Sequence, residues 1–169
     1  VGIAQALFGT ILLYFAAERV LGAEGNALLW THLDTVKHQL EPAIMSLAFV
    51  FLLVGYGTKM GLAPMHTWKP DAYGEAPGVV GALLAGGSTS CAFLALARLT
   101  QITSAAGEGD YANRLLVMIG LASMGVAGAL LLGQRDLKRM LAYSSVEQMG
   151  ILALATGLGA GATFATLLH

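Results

Sequence analysis

GYGTKMGLAPMHTW, residues Gly55–Trp68, closes a long apolar run with a lysine, a glycine and a proline in close order. From Ala43 to Ala63 the only charge is Lys59, and the run is long enough to cross roughly 30 Å of hydrocarbon at about 1.5 Å per helical residue. Pro64 cannot donate to the carbonyl of Met60, and its ring crowds that carbonyl. Gly61 weakens the helix further. Freed carbonyls at membrane depth are tolerated only inside protein or along a wet cavity. Two readings follow. Either Pro64 simply ends a spanning helix, or the helix breaks at Gly61/Pro64 and resumes through MHTW towards Asp71.

The rest of the chain supplies the setting. Of its 169 residues, 56% are hydrophobic and only 11% charged, with 22 glycines, and the mean hydropathy is +0.70. That is a membrane composition. Besides Ala43–Ala63, the runs Ala76–Ala97, Leu115–Gly133 and Met149–Leu168 are long enough to span and carry no charge. Val1–Ala17 is apolar apart from Gln5, Thr10 and Tyr14 and reads as a truncated spanning helix rather than a signal peptide. Barrel strands would alternate in polarity, and these runs do not. The expectation is an all-α, polytopic transmembrane bundle of one domain, with about five spans near 1–17, 43–68, 76–97, 115–133 and 149–168, one of them discontinuous.

Charges gather in the connections Glu18–Glu41, His66–Glu75, Arg98–Arg114 and Gln134–Gln148. Arg19, Lys37, Arg98 and Arg114 on one side balance Lys69, Arg135, Lys138 and Arg139 on the other, so the basic residues do not orient the chain. Glu75 and Pro77 suit the start of the third span. Ser144 with Glu147, or Ser145 with Gln148, fits a capping box opening the last one. Small residues four apart, at Gly81/Ala85, Gly86/Ser90, Gly125/Ala129/Gly133 and Gly157/Gly161, fit close helix packing. The single Cys91 excludes an internal disulfide and a cysteine-based metal site. The net charge of -1 gives no sign of nucleic-acid binding.

Lys59 carries the functional question. It lies roughly 24 Å along a helix counted from Ala43, past the middle of a straight span. There its stem lies in lipid and its ammonium snorkels to the headgroups. If the element instead continues past Pro64, Lys59 sits nearer its middle. Desolvation then lowers the preference of the ammonium for its proton, as a site that binds and releases protons near neutral pH requires. Tyr56, Thr58, His66 and, from another helix, His169 are its candidate neighbours. His66 is poised between interface anchor and proton carrier.

GYGTKMGLAPMHTWKPDAYGEAPGVVGALLAGG, together with RDLKRMLAYSSVEQMGI from Arg135 to Ile151, resembles the antiporter-like membrane subunits shared by respiratory complex I, the multisubunit cation/proton antiporters and the membrane-bound hydrogenases. The lysine-to-proline spacing, TW-x-PDA and DLKRMLAYSS carry the resemblance. The lead-in Leu7–Phe51, with LLWTHLD, is most similar to the hydrogenase-4 type. The resemblance implies a discontinuous helix bearing Lys59 as a proton-transfer lysine, a break at Gly61 and Pro64, and a glutamate partner upstream of Val1 in a longer subunit. It places His169 at the entry to a second discontinuous helix. Where the family carries a basic residue on the helix after the break, Ala76–Ala97 offers Ser88, Thr89, Ser90 and Cys91. Lys69 and Tyr73 stand where leucine and histidine flank the family's PDA element.

The remaining polar groups have ordinary readings beside functional ones. His32 and His38 are solvated connection residues rather than metal ligands. Asp71 and Glu75 cap helices or line a proton entrance. The RDLKR cluster, including Asp136, Lys138 and Arg139, is a solvated turn at lipid headgroups or a contact with a neighbouring subunit. No phosphate loop, nucleophile-base pair or redox site is present in the sequence, so no cofactor or metal is expected and electron transfer belongs to partner subunits. Together these readings give part of a non-redox, proton-translocating subunit in a multi-pass prokaryotic cytoplasmic membrane setting. It would work in a hydrogenase-4 or NADH-quinone oxidoreductase-like complex. The alternatives are a secondary cation/proton antiporter subunit and a structural spacer whose lysine only snorkels.

Overall fold

The computed structural model describes residues 2–22 and 27–159, and among them there are helices and turns but no strand. The elements in chain order are α1 (Gly2–Leu21), α2 (Trp30–Val36), a 3₁₀ turn (Lys37–Gln39), α3 (Pro42–Met60), α4 (Trp68–Glu75), α5 (Gly78–Leu83), a wide π-type turn (Leu84–Ser88), α6 (Thr89–Thr103), a second wide turn (Ser104–Glu108), α7 (Gly109–Leu131) and α8 (Leu137–Leu158). Three stretches are long and apolar enough to cross a membrane: Gly2–Leu21, Pro42–Met60 and Gly78–Leu131. The last has 54 residues, about 80 Å if fully helical. That is room for both the third and the fourth expected spans. Gly107, at φ 100°, interrupts it; a backbone there suits glycine because no Cβ has to be accommodated. The expected connection Arg98–Arg114 is therefore mostly helix on either side of one glycine.

The described residues fall into two compact units. In the first, Val1–Tyr56 with Ala95–Ala112, a core of Leu13, Ala16, Leu33, Leu40, Met45 and Ile102 is buried. Helices α1 and α3 approach so closely that a Cβ on Gly55 would lie 2.6 Å from the backbone nitrogen of Ala6. The two connection histidines lie on a helix and a 3₁₀ turn, and His38 is exposed to solvent as expected. His32 stands on α2 and His38 places its ring nitrogen 3.1 Å from the Ala105 carbonyl.

The second unit, Gly57–Leu94 with Asn113–His169, contains the end of α3, the turn after it, α4, α5 and the seam between α7 and α8. That seam uses one of the expected small-residue positions, Gly157, together with Gly120, which belonged to none. Gly81, Gly86 and Gly125 have nothing within 4 Å of a would-be Cβ. The close approach is made by Gly120, whose Cβ would meet the Leu154 nitrogen at 2.7 Å and the Gly150 carbonyl at 2.8 Å, and by Gly157 against the Asn113 carbonyl at 2.7 Å. Spacing identifies residues sharing a face but not which face a neighbour covers.

Helix α8 also begins earlier than expected. Asp136 caps it, its carboxylate accepting from the Lys138 backbone nitrogen at 3.0 Å. Ser144 and Ser145 lie inside the helix and open nothing. The charged RDLKR stretch suggested a turn, but from Leu137 onward it forms the first turn of α8, where a capped N-terminus tolerates polar side chains. His169 and the end of the fifth expected span lie outside the described residues.

Replacing Gly120 by alanine should destabilise the detergent-solubilised protein by about 2 kcal/mol or more, because the blocking atoms are backbone. Gly125→Ala should fall within about 0.5 kcal/mol of wild type. Thermal unfolding of the two variants side by side checks this. On the same assay Asp136→Ala should cost about 1 kcal/mol, and Ser144→Ala no more than a few tenths.

Candidate functional site

Helix α3 ends at Met60, and Gly61 turns the chain with φ 77°. Residues 61–67 run through turns before α4 begins at Trp68, and the Ala63–Pro64 peptide is cis. The element thus breaks and resumes, as the discontinuous reading expects. Several of the freed backbone groups near the break have partners. The Gly61 nitrogen donates to the Thr58 carbonyl (3.2 Å), Leu62 to Gly57 (2.9 Å) and Met65 to Leu62 (2.8 Å). The Ala63 nitrogen donates to the Ser123 hydroxyl (2.9 Å), which in turn donates to the Ile119 carbonyl on α7 (2.7 Å). The Trp68 indole donates to the Thr58 carbonyl (2.7 Å).

The Met60 carbonyl is the acceptor that residue 64 of an unbroken helix would serve. Here the Lys69 ammonium serves it, with Nζ donating at 2.8 Å. Lys69 is fully buried, at 0% exposure. Its stem crosses Gly61 so closely that a Cβ there would lie 2.6 Å from Lys69 Cδ. Its Nζ sits 5.6 Å from the centre of the Tyr73 ring. No carboxylate pairs with it among the described residues. Lys69 lies outside the three spans, and burial lowers its pKa from 10.5 to about 8. Burial also raises the Tyr73 phenol above its ordinary value.

The expected site residues separate into groups. Lys59 is on the last turn of α3 with its side chain exposed, a position that also suits a cation at a helix C-terminus. His66 is buried at 8% exposure, its Nδ1 has no hydrogen-bond partner among the described residues, and its ring centre lies 6.5 Å from that of Tyr143 on α8. Asp71 pairs with Arg139 at 2.9 Å. Lys138 Nζ donates to the Gly74 and Ala76 carbonyls at 3.3 and 3.4 Å. Glu75 is exposed, and Asp136 is committed to its cap. Asp71, Lys138 and Arg139 therefore meet where α4 lies along α8. Sequence reasoning passed over Lys69. The available signal was a lysine where the family places leucine, five residues after a proline that leaves a carbonyl unserved.

A family profile described as NADH:quinone oxidoreductase/Mrp antiporter, transmembrane, matches residues 3–169. The chain belongs to that family. It is 43% identical over 170 residues to the hydrogenase-4 component F homolog of Methylacidiphilum infernorum (isolate V4), covering 100% of this chain and 36% of the relative. It is 38% identical to the NADH-quinone oxidoreductase subunit N of Ectopseudomonas mendocina, covering 91% of this chain and 29% of that one. Among solved structures it is similar to a chain of the membrane-bound sulfane sulfur reductase, an archaeal respiratory membrane complex. That match has TM-score 0.74 and 25% identity, with 92% of this chain and 32% of that chain covered. A chain of respiratory complex I from Thermus thermophilus is similar at TM-score 0.66 and 34% identity, with 97% and 33% covered. The chain spans about a third of the length of these relatives. Family membership makes it an integral membrane segment, and the resemblance read from the TK-to-PDA stretch is correct.

The low Lys69 pKa has a definite sign. The unfolded chain binds the proton more tightly than the fold does, so the fold is penalised below pH 8 and the penalty lifts as pH rises from about 8 to about 10.5. Relative to Lys69→Met, wild-type stability should therefore rise across that window, by at most about 3 kcal/mol. The lysine side-chain carbon resonances of the detergent-solubilised protein should include one titrating near pH 8, and Lys69→Arg should remove it.

Proposed function

We propose that this chain forms part of a proton-conducting subunit in the membrane arm of a redox-driven complex, of the hydrogenase-4 or NADH-quinone oxidoreductase kind. Electron transfer would occur in partner subunits, and lipid and neighbouring membrane subunits would cover its flanks. The observation that carries the reading is the break after Met60. It is an interrupted helix in a membrane family, with the buried polar groups Ser123, His66 and Lys69 set beside the buried Met60, Leu62 and Ala63. Irregular backbone of this kind belongs beside protein or water.

In this reading Lys59 takes up and releases the proton on one side of the break. Its exposed side chain is available to an acidic partner elsewhere in the longer subunit, and changes in that pairing alternate its charge. His66 relays the proton through the buried region, and His169 passes it towards the next element. Gly61 and Pro64 hold the helix open. Asp71, Glu75, Asp136, Lys138 and Arg139 form an entrance or subunit contact at the end of the α4–α8 seam.

A cation/proton antiporter subunit is the second reading, favoured by the family description itself, which names both kinds of protein. Sodium-dependent proton movement without any redox substrate would select it.

Lys59→Ala in the full-length subunit, assembled in its complex and reconstituted in vesicles, should lower redox-driven proton pumping at least about tenfold while electron transfer persists. Pumping at the wild-type rate would remove Lys59 from the path and leave the lysine a headgroup-seeking residue of a spacer.

A further inference from the structure

The buried lysine lies beyond the residues assigned above. Its ammonium has three donors, yet one acceptor, the Met60 carbonyl, meets it among the described residues. That acceptor is the group left unserved by Pro64. A bond from a charged donor is roughly twice as strong as one from a neutral donor. The grip of Lys69 on the end of α3 therefore depends on whether the proton is present.

Among the described residues no carboxylate pairs with Lys69. On its own helix the facing group is the Tyr73 ring, and Asp71 is committed to Arg139. From α8, Lys138 sits on the Gly74 and Ala76 carbonyls and Tyr143 stands against His66. From α7 the nearest polar group at the break is Ser123, occupied by the Ala63 nitrogen.

Polar groups that could carry a proton to Lys69 lie beside it. Lys69 and Tyr73, four apart, share one side of α4, and His66 lies in the turn just before it, its carbonyl accepting from the Lys69 backbone nitrogen at 3.0 Å. His66 Nδ1 and the Tyr73 hydroxyl are buried with no hydrogen-bond partner among the described residues. Buried polar atoms in that state are the usual hosts of internal water. Tyr73 further lines a cleft of about 280 Å³ with Gly81, Lys138, Leu141 and Ser145.

We propose that Lys69 is a positioning residue for the proton transfer assigned to Lys59: protonated, it latches the Met60 carbonyl with a charge-assisted bond and closes the break, and on losing its proton through the His66–Tyr73 side it holds that carbonyl about half as strongly, so that the break loosens. The latch rests on the proton-transfer reading of Lys59. Both states use one proton exchanged with water, and no other reactant is needed.

Pumping is measured against pH in vesicles holding the intact complex, with Lys59→Ala, Lys69→Met and Lys69→Arg compared with wild type. Lys69→Met should pump about tenfold more slowly with a flattened alkaline limb, and Lys69→Arg should move that limb upward, because a guanidinium keeps its charge. Equal losses in both variants with an unchanged pH profile would make Lys69 a structural strut and overturn the latch. Wild-type profiles in both, with Lys59→Ala inactive, would overturn the latch and leave the Lys59 reading standing. A fully active Lys59→Ala would overturn both.

Should the Lys69 variants fail to assemble, the native lysine can be probed directly. In a Cys91→Ser background, thiol labelling of Met65→Cys should rise several-fold between pH 7 and pH 9, beyond the rise of a reference cysteine on α8. Labelling that tracks the reference would overturn the proposal.

Discussion

A single missing donor organises the centre of this chain. Pro64 has no N–H to give the Met60 carbonyl, and Met60 is fully buried, away from solvent that could replace it. The structure answers with a lysine side chain from the next helix. That answer fixes other choices. The Lys69 stem has to cross residue 61 at van der Waals contact, so residue 61 must lack a Cβ. Its left-handed backbone dihedral, φ 77°, independently favours glycine. One residue therefore meets two constraints, and α4 is anchored against the end of α3 by the same bond that heals the break.

The seam between α4 and α8 follows from this anchoring rather than from its visible charges. Asp71 and Arg139 make a short pair, but their side chains are 70% and 44% exposed, and exposed pairs contribute about 0–1 kcal/mol. Lys138 on two carbonyls at the end of α4 acts as a C-terminal cation, again a modest effect. Burial of the Lys69 stem and the close backbone contact of α7 with α8 at Gly120 and Gly150 are the stronger terms, since both remove atoms from any alternative packing.

The parts legible in the sequence were those with a local cause. A proline's missing donor and a glycine's weak helix preference belong to the residues themselves, so the break at Gly61/Pro64 could be placed without a neighbour. The apolar runs gave the helices for the same reason. Span ends were less legible because charge was taken as a sign of loop, whereas Arg139 and Lys138 lie on the first turn of α8 and the charged stretch near Arg98 is helix up to the turn at Gly107. Of the small-residue rows, Gly157 meets a neighbouring helix while Gly81 and Gly125 face open space in this chain, since spacing carries no information about which face meets a partner. Lys69 was missed because a lysine between tryptophan and proline looks like an interface residue. Its burial is created by contact with Gly61, eight positions earlier, and no local pattern encodes that.

The two lysines flank one carbonyl and differ in how their charge is accommodated. Lys59 is exposed on the last turn of a spanning helix, and an ammonium facing hydrocarbon is costly, a cost that the proposed acidic partner would relieve. Lys69 is sealed among groups of its own unit and has no carboxylate to hold its proton. The charge of Lys59 thus answers to surroundings that other elements can change. The charge of Lys69 answers to a cage built from a carbonyl, an aromatic ring and a glycine. A lysine governed by a movable partner suits transfer, and a lysine governed by a fixed cage suits setting the geometry in which transfer occurs. Under the proposed reading, the two lysines on one break would couple closing of the helix end to movement of a proton.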